Sequence, residues 1–280
     1  MGVIAGTRHH TRSVLFVAPV MLSTPIDRKA ATAAAAIGLI ALGVISLVYG
    51  DLLLQWQPAP THASWRIPVA YLSGAILLIA GLGLFVARLR RAAAVLGSLW
   101  IALWVLVLHL PLAIAARGNV AALLGVAECS AMALGIGMLA LGPDARRYRR
   151  ALVAGFGICA LIFGLSHFVY ADFTAQMVPD WLPSHLGVAY LTGAVHALTG
   201  LCMLFGFVMP LAAWIEAMMM CAFVVLLHVP GVLAAPTDRL QWTMLAIATT
   251  LTSAAWLVAA STRGGVRTLG SVGLSPPFTA

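Results

Sequence analysis

Eight runs of about twenty mainly apolar residues follow one another along the chain, separated by short polar stretches. They lie near 31–50, 68–87, 92–116, 120–141, 151–170, 186–208, 212–233 and 241–260. Ala and Leu dominate them and Gly is frequent, which favours close-packed helices over the strands of a barrel. A helix that is apolar all round is stable in a bilayer, whose ~30 Å core takes about 20 residues per crossing. The pattern therefore predicts an all-α integral membrane protein with eight transmembrane helices.

The polar positions inside and beside these runs repeat. Val48-Tyr49-Gly50-Asp51, Val69-Ala70-Tyr71-Leu72-Ser73-Gly74-Ala75 and Leu108-His109-Leu110-Pro111 return as Val169-Tyr170-Ala171-Asp172, Val188-Ala189-Tyr190-Leu191-Thr192-Gly193-Ala194 and Leu227-His228-Val229-Pro230. The offset is 121 residues at the first block and 119 at the other two. Three blocks in register imply a duplicated unit. Four helices per copy is an even number, so both copies should have the same orientation, related by a pseudo-twofold axis along the membrane normal rather than inverted. The expected division is an N-terminal cytoplasmic extension at 1–30, repeat one at 31–141, a basic cytoplasmic linker at 142–150, repeat two at 151–260 and a cytoplasmic tail at 261–280. Residues 1–30 contain the apolar run Val14–Leu22, too short to span, and translation from Met21 would also give a sensible protein.

Composition agrees with this picture, since 62% of the residues are hydrophobic and 9% charged. A net charge of +8 could suggest nucleic acid, but its distribution argues against that. Thirteen of the 16 basic residues fall in the N-terminal stretch, the 2–3 loop (Arg88, Arg90, Arg91), the 4–5 loop (Arg146, Arg147, Arg149, Arg150) and the tail; Arg66, Arg117 and Arg239 make up the remainder. That is the positive-inside pattern, and it predicts a bacterial-type inner membrane protein with both termini cytoplasmic. Cys129, Cys159, Cys202 and Cys221 lie inside predicted helices, read as buried apolar thiols rather than a disulfide framework or a redox motif.

The longest connections, Asp51–Ile67 and Ala171–His185, are rich in Trp and Pro and are expected to form ordered re-entrant or interfacial caps on the outer face. Small residues on helices 2 and 6, including Gly74, Gly81, Gly193 and Gly200, are expected to form a close seam in each unit. The short connection around Met209 makes helices 6 and 7 an antiparallel hairpin.

Ionisable groups within hydrocarbon mark candidate chemistry. His109, His167, His196 and His228 are intramembrane and lie in the outer half, and Glu128 sits near mid-membrane. Glu216 lies near the inner end of helix 7 and is expected to reach the interface. His109 and His228 are repeat mates, whereas His167 matches Ser46 and His196 matches Leu77, which draws attention to repeat two. Pro111 and Pro230 each free a carbonyl four residues back, on Val107 and Leu226, so an imidazole could satisfy that carbonyl or tie one helix to its neighbour. The chemical alternative is that neutral imidazoles hydrogen-bond a quinone or ligate haem b iron or a metal ion. Asp51 and Asp172 end the first helix of each repeat, where a carboxylate opposes the helix dipole, so each is expected either to have a partner or to be solvated. Met218, Met219 and Met220 point to three faces of one helix and read as packing. No Walker loop, G-x-S-x-G elbow, H-E-x-x-H, EF-hand or dinucleotide fingerprint is present.

The run Gly164-Leu165-Ser166-His167-Phe168-Val169-Tyr170-Ala171-Asp172, continuing through Met177-Val178-Pro179-Asp180-Trp181-Leu182-Pro183 to Tyr190-Leu191-Thr192-Gly193, resembles the DoxX-like superfamily of four-helix membrane proteins. The resemblance covers about 30 residues of repeat two, with a degraded copy in repeat one. It implies a quinone-linked or accessory role in a membrane redox complex. Many members carry an acidic residue shortly after the S/T-G pair; here that place holds His196, and Leu77 in repeat one. With no soluble domain present, redox chemistry would need a partner protein.

The expected function is thus a redox-associated membrane subunit with a polar pocket of His167, His196, His228 and His109, and Asp172 beneath the outer cap orienting a ring or relaying a proton. Quinone is the favoured cofactor, with haem b or a metal ion as the other candidates. The alternatives are a proton-coupled small-solute carrier using Glu128, disfavoured by the lack of a broken helix or an inverted repeat, and a non-catalytic assembly factor.

Overall fold

The computed structural model describes residues 28–262. The apolar run Val14–Leu22, the alternative start at Met21, most of the N-terminal extension and nearly all of the tail lie outside the described residues. Eight helices long and apolar enough to cross a membrane are present: α1 Arg28–Tyr49, α2 Arg66–Phe85, α3 Arg90–Ala115, α4 Val120–Gly137, α5 Arg146–Val169, α6 His185–Phe205, α7 Met209–Ala234 and α8 Arg239–Thr262. No strand occurs among the described residues.

Successive helices pack as neighbours, α1 to α2 and onward to α7 and α8. The closest pairs are α1 with α2 and α5 with α6, and small residues explain both. A Cβ on Gly43 would lie 2.8 Å from the carbonyl oxygen of Gly74, and one on Gly164 would lie 2.7 Å from that of Gly193. Gly200 stands equally close to Gly157. Such contacts replace the hydrophobic drive that lipid removes, and they match the expected seam. Between the two sets of four, α8 packs on α1, α4 on α5, and α4 on α8.

Helices α3 and α7 are each interrupted by a turn in which the hydrogen bond reaches back five residues. It spans Val105–His109 in α3 and Val224–His228 in α7, closed by Leu110 N–H to the Val105 oxygen and Val229 N–H to the Val224 oxygen. Pro111 and Pro230, which lack a donor, follow within two residues, so the ladder slips by one residue ahead of each. The helices stay continuous through these turns, as read from the sequence, and the π turns sit at matching positions and end on the two repeat-mate histidines.

The α6–α7 hairpin closes through Gly206 in the left-handed region (φ 82), whose N–H returns to the Cys202 oxygen. The two long connections, α1–α2 and α5–α6, differ. In the first, Leu52, Leu53, Trp56 and Gln57 are all buried, so the chain turns back into the bundle. In the second, a short helix, Ala171–Ala175, rides on the surface with Phe173 and Trp181 exposed.

Candidate functional site

Gly164 on α5 and Gly193 on α6 are each followed three residues later by a histidine on the same helix face. The close approach at those glycines places His167 beside His196, with ring centroids 5.0 Å apart and planes tilted by 51°. A Cβ on Gly193 would sit 2.9 Å from the Cβ of His167, so the imidazole pair depends on that glycine. The third partner comes from α7: Glu216 Oε1 lies 2.7 Å from His196 Nδ1, and its Oε2 lies 2.5 Å from the Thr199 hydroxyl. Glu216 is 0% and His196 2% exposed. Glu216 thus faces inward and does not reach the interface as expected. It stands seven residues, about 10 Å of rise, into α7 from Met209, near that end as expected, and it is its burial against His196 and Thr199 that makes this carboxylate an interior group.

Phe163 and Phe223 complete the surroundings, the former 5.6 Å from the His196 ring and the latter 6.2 Å from His167. His167 Nδ1 lies 2.9 Å from the Phe163 carbonyl oxygen. Both Nδ1 atoms thus face oxygen acceptors and carry the proton in the neutral rings, leaving both Nε2 atoms as acceptors. The site is therefore a pair of adjacent bases, one backed by a carboxylate. The corresponding positions in repeat one, Ser46, Leu77, Gly97 and Trp104, hold no ionisable group. There the Ser46 hydroxyl and Trp104 N–H are buried without partners.

The other predicted residues do not join this cluster. His228 is half-buried and forms no hydrogen bond with a described residue. Asp172 is exposed in the first turn of the short surface helix, without a side-chain partner. It is a solvated carboxylate and does not orient a ring. His109 is engaged in repeat one, with Nε2 3.0 Å from the Trp56 carbonyl oxygen and 3.4 Å from Cys129 Sγ. Its ring lies against Gly125, where an added Cβ would come within 2.5 Å of Nδ1. This imidazole holds the inserted cap to the bundle, whereas the freed Val107 carbonyl was one expected partner. Glu128 accepts the Trp56 indole N–H at 2.7 Å. Gln57 and Trp100 both donate to the Ser73 hydroxyl, at 2.8 and 3.0 Å, so the polar atoms of repeat one are largely spent on fixing the cap.

Outside the helices, Asp51 is paired as expected, though with arginines. Its carboxylate contacts Arg66 Nε at 2.5 Å and Arg239 Nη1 at 3.0 Å. Burial alone would raise its pKa, but hydrogen bonds from Arg66, Arg239 and the Leu52 N–H outweigh that and hold it at about 2. At the 119-residue offset the two arginines correspond to His185 and Val120, which explains why Asp172 has no equivalent pairing.

Glu216, Thr199 and Phe223 were not among the predicted site residues. The signal for Glu216 was its charge inside an apolar run; its place near one end of α7 was read from the sequence, but the side it faces, toward His196 and Thr199, was not. A porphyrin does not fit between His167 and His196, whose ring centroids are only 5.0 Å apart. Among the described residues no group of three His, Cys, Asp or Glu is arranged to hold a metal ion. The donor set does suit a ligand hydroxyl, which can donate to imidazole Nε2. Compared with family models, curated proteins and solved structures, the chain matches none.

Proposed function

We propose that this protein is a DoxX-like, redox-associated subunit of a bacterial-type inner membrane. On this reading its two four-helix repeats share one orientation about a pseudo-twofold axis along the membrane normal, and the arginine-bearing end faces the cytoplasm. Three features support the repeat arrangement. The α4–α5 contact has its counterpart in α8–α1, the π turns recur at matching positions, and Tyr49 and Tyr170 take matching places. The Tyr49 ring stacks under Arg239 at the start of α8, and the Tyr170 hydroxyl meets Ala121 N–H at the start of α4.

One observation carries the functional reading: the buried contact of His167, His196 and Glu216. A carboxylate buried beside two imidazoles in an apolar bundle costs stability, which supports a role in proton chemistry. His167 and His196 would each accept a hydrogen bond from a quinol hydroxyl through Nε2 and take up its proton on oxidation, with the electrons passing to a partner protein. Glu216 stabilises the imidazolium formed on His196. Lipid extracted from the purified full chain should contain quinone, and His167→Leu and His196→Leu should lose it while Glu128→Gln keeps it. Quinone absent from the wild type, or retained in both histidine variants, overturns the reading.

A second reading, proton-coupled transport of a small solute, is favoured by the full burial of the Glu216 carboxylate. It would be selected by proton-coupled uptake in vesicles that Glu216→Gln abolishes, in a protein from which no quinone can be extracted.

A further inference from the structure

One end of the bundle gathers arginines: Arg28 at the start of α1, Arg88, Arg90 and Arg91 around the α2–α3 turn, and the four arginines of 146–150. Four of these are used by the protein itself. Arg28, Arg90, Arg149 and Arg150 donate to the carbonyl oxygens of Met138, Leu84, Gly142 and Phe205, at or near the C-terminal ends of neighbouring helices, which are electronegative. Arg147 stacks on Tyr148. Arg88 and Arg91 are exposed and make no hydrogen bond or ion pair with a described residue. The only described carboxylate in the loops at this end is Asp144, and it forms no ion pair.

Arg91 stands at the head of a shallow, open apolar track down the exposed face of α3, formed by Val95, Leu96, Leu99, Trp100 and Leu103. Helix α3 packs on α2 and α4, and Leu99 on the opposite face is 65% exposed. From Arg91 to Leu103 the track measures about 18 Å at 1.5 Å per residue, comparable with one leaflet of a ~30 Å core. A free cation at the polar boundary above an apolar track of leaflet length complements one kind of molecule. We propose that an anionic phospholipid binds here, its phosphate between Arg91 and Arg88 and one acyl chain along Val95, Leu99 and Leu103. Charge selects the headgroup and the apolar track below it takes the acyl chain, as in other basic sites at membrane boundaries. This inference does not depend on the reading of His167 and His196, nor on which side of the membrane the arginines face.

The test uses the full chain in nanodiscs of phosphatidylcholine with and without phosphatidylglycerol, followed by detergent exchange and native mass spectrometry of retained lipid. Phosphatidylglycerol should be retained in preference to phosphatidylcholine. Retention should fall about fivefold in Arg88→Gln or Arg91→Gln and about thirtyfold in the double variant, at the ~1 kcal/mol per arginine expected near a membrane surface. Leu99→Trp, which obstructs the track without touching the charge, should lower it as well, whereas Arg147→Gln should leave it unchanged. These side chains are exposed, so folding is not at stake. Equal retention of both lipids, or equal loss in Arg147→Gln, would show diffuse attraction and overturn the site. A doubled mass with no retained lipid would assign the face to a second copy of the chain and overturn it too.

Discussion

Replacing His196 by Leu gives the second repeat the residue that the first carries at the matching position, Leu77, which is fully buried there. Size and shape are therefore tolerable in this kind of bundle. What changes is Glu216, which would keep only the Thr199 hydroxyl as a partner while remaining 0% exposed. Stranding one member of a buried pair costs about 3–5 kcal/mol. Glu216→Met instead leaves the His196 N–H without an acceptor, at about 1–3 kcal/mol. The double variant His196→Leu/Glu216→Met strands nothing, and replacing a buried pair by apolar residues of similar volume is commonly neutral. It should fall within about 1 kcal/mol of wild type, so the two changes couple by several kcal/mol. Cys129 and Cys159 are 0% and 4% exposed, so a thiol-reactive dye can follow thermal unfolding in detergent at one scan rate. At about 2–4 °C per kcal/mol, His196→Leu should lower the midpoint by about 10 °C and the double variant should recover most of it. A double variant as unstable as the sum of the singles would refute the argument, and so would an unchanged midpoint in His196→Leu. Quinone retention should be lost in all three, separating the chemistry from the folding.

Asp51 gives a pH dependence of defined sign. Its pKa falls from the usual 3.8 to about 2 in the folded protein, so its contribution is fully present above pH ~4 and is lost as pH falls through about 2. The shift corresponds to about 2 kcal/mol, reduced to about 1 by partial solvent access, and Asp51→Asn should flatten that part of the stability profile. Gly43→Val should prevent folding, because its Cβ would come within 2.7 Å of the Leu78 backbone nitrogen, and expression as aggregate should show it. His109→Leu should cost about 1–3 kcal/mol by leaving the Trp56 carbonyl bare. The repeat-mate change His228→Leu should cost under about 0.5 kcal/mol, and equal losses in thermal midpoint would contradict these assignments.

The eight helices long enough to span were legible because hydrocarbon imposes a length and a composition on every span, and blocks such as Val-Ala-Tyr-Leu recur in register in the sequence itself. The glycine seams were legible for a similar reason: only small residues let two backbones approach so closely. His167 and His196 do come together, since each follows a seam glycine by three residues. Three things were not legible. The π turns follow from the proline positions only if the helix stays continuous through them, which packing decides. The insertion of the first cap and the surface course of the second differ because Trp56 and Gln57 find Glu128, His109 and Ser73, partners distant in sequence. Glu216 was misplaced because a depth counted along one helix ignores which neighbour it faces.

The contrast between the copies has a physical logic. Repeat one takes in a cap with Trp56 and Gln57, and its polar atoms bond mainly to one another. That half gains packing and loses room for chemistry. Repeat two leaves its cap outside and carries a buried acid with two imidazoles, an arrangement that costs stability wherever it occurs in hydrocarbon. A four-helix unit alone would have to absorb that cost within its own seams. Here α5 also packs on α4, and α8 on both α4 and α1, while the Asp51–Arg239 pair fixes the start of α8 to the first cap. Helices of the first copy thus buttress those of the copy that carries the buried acid and the two imidazoles, so the cost of that cluster is spread over contacts on both sides of the α4–α5 and α8–α1 seams.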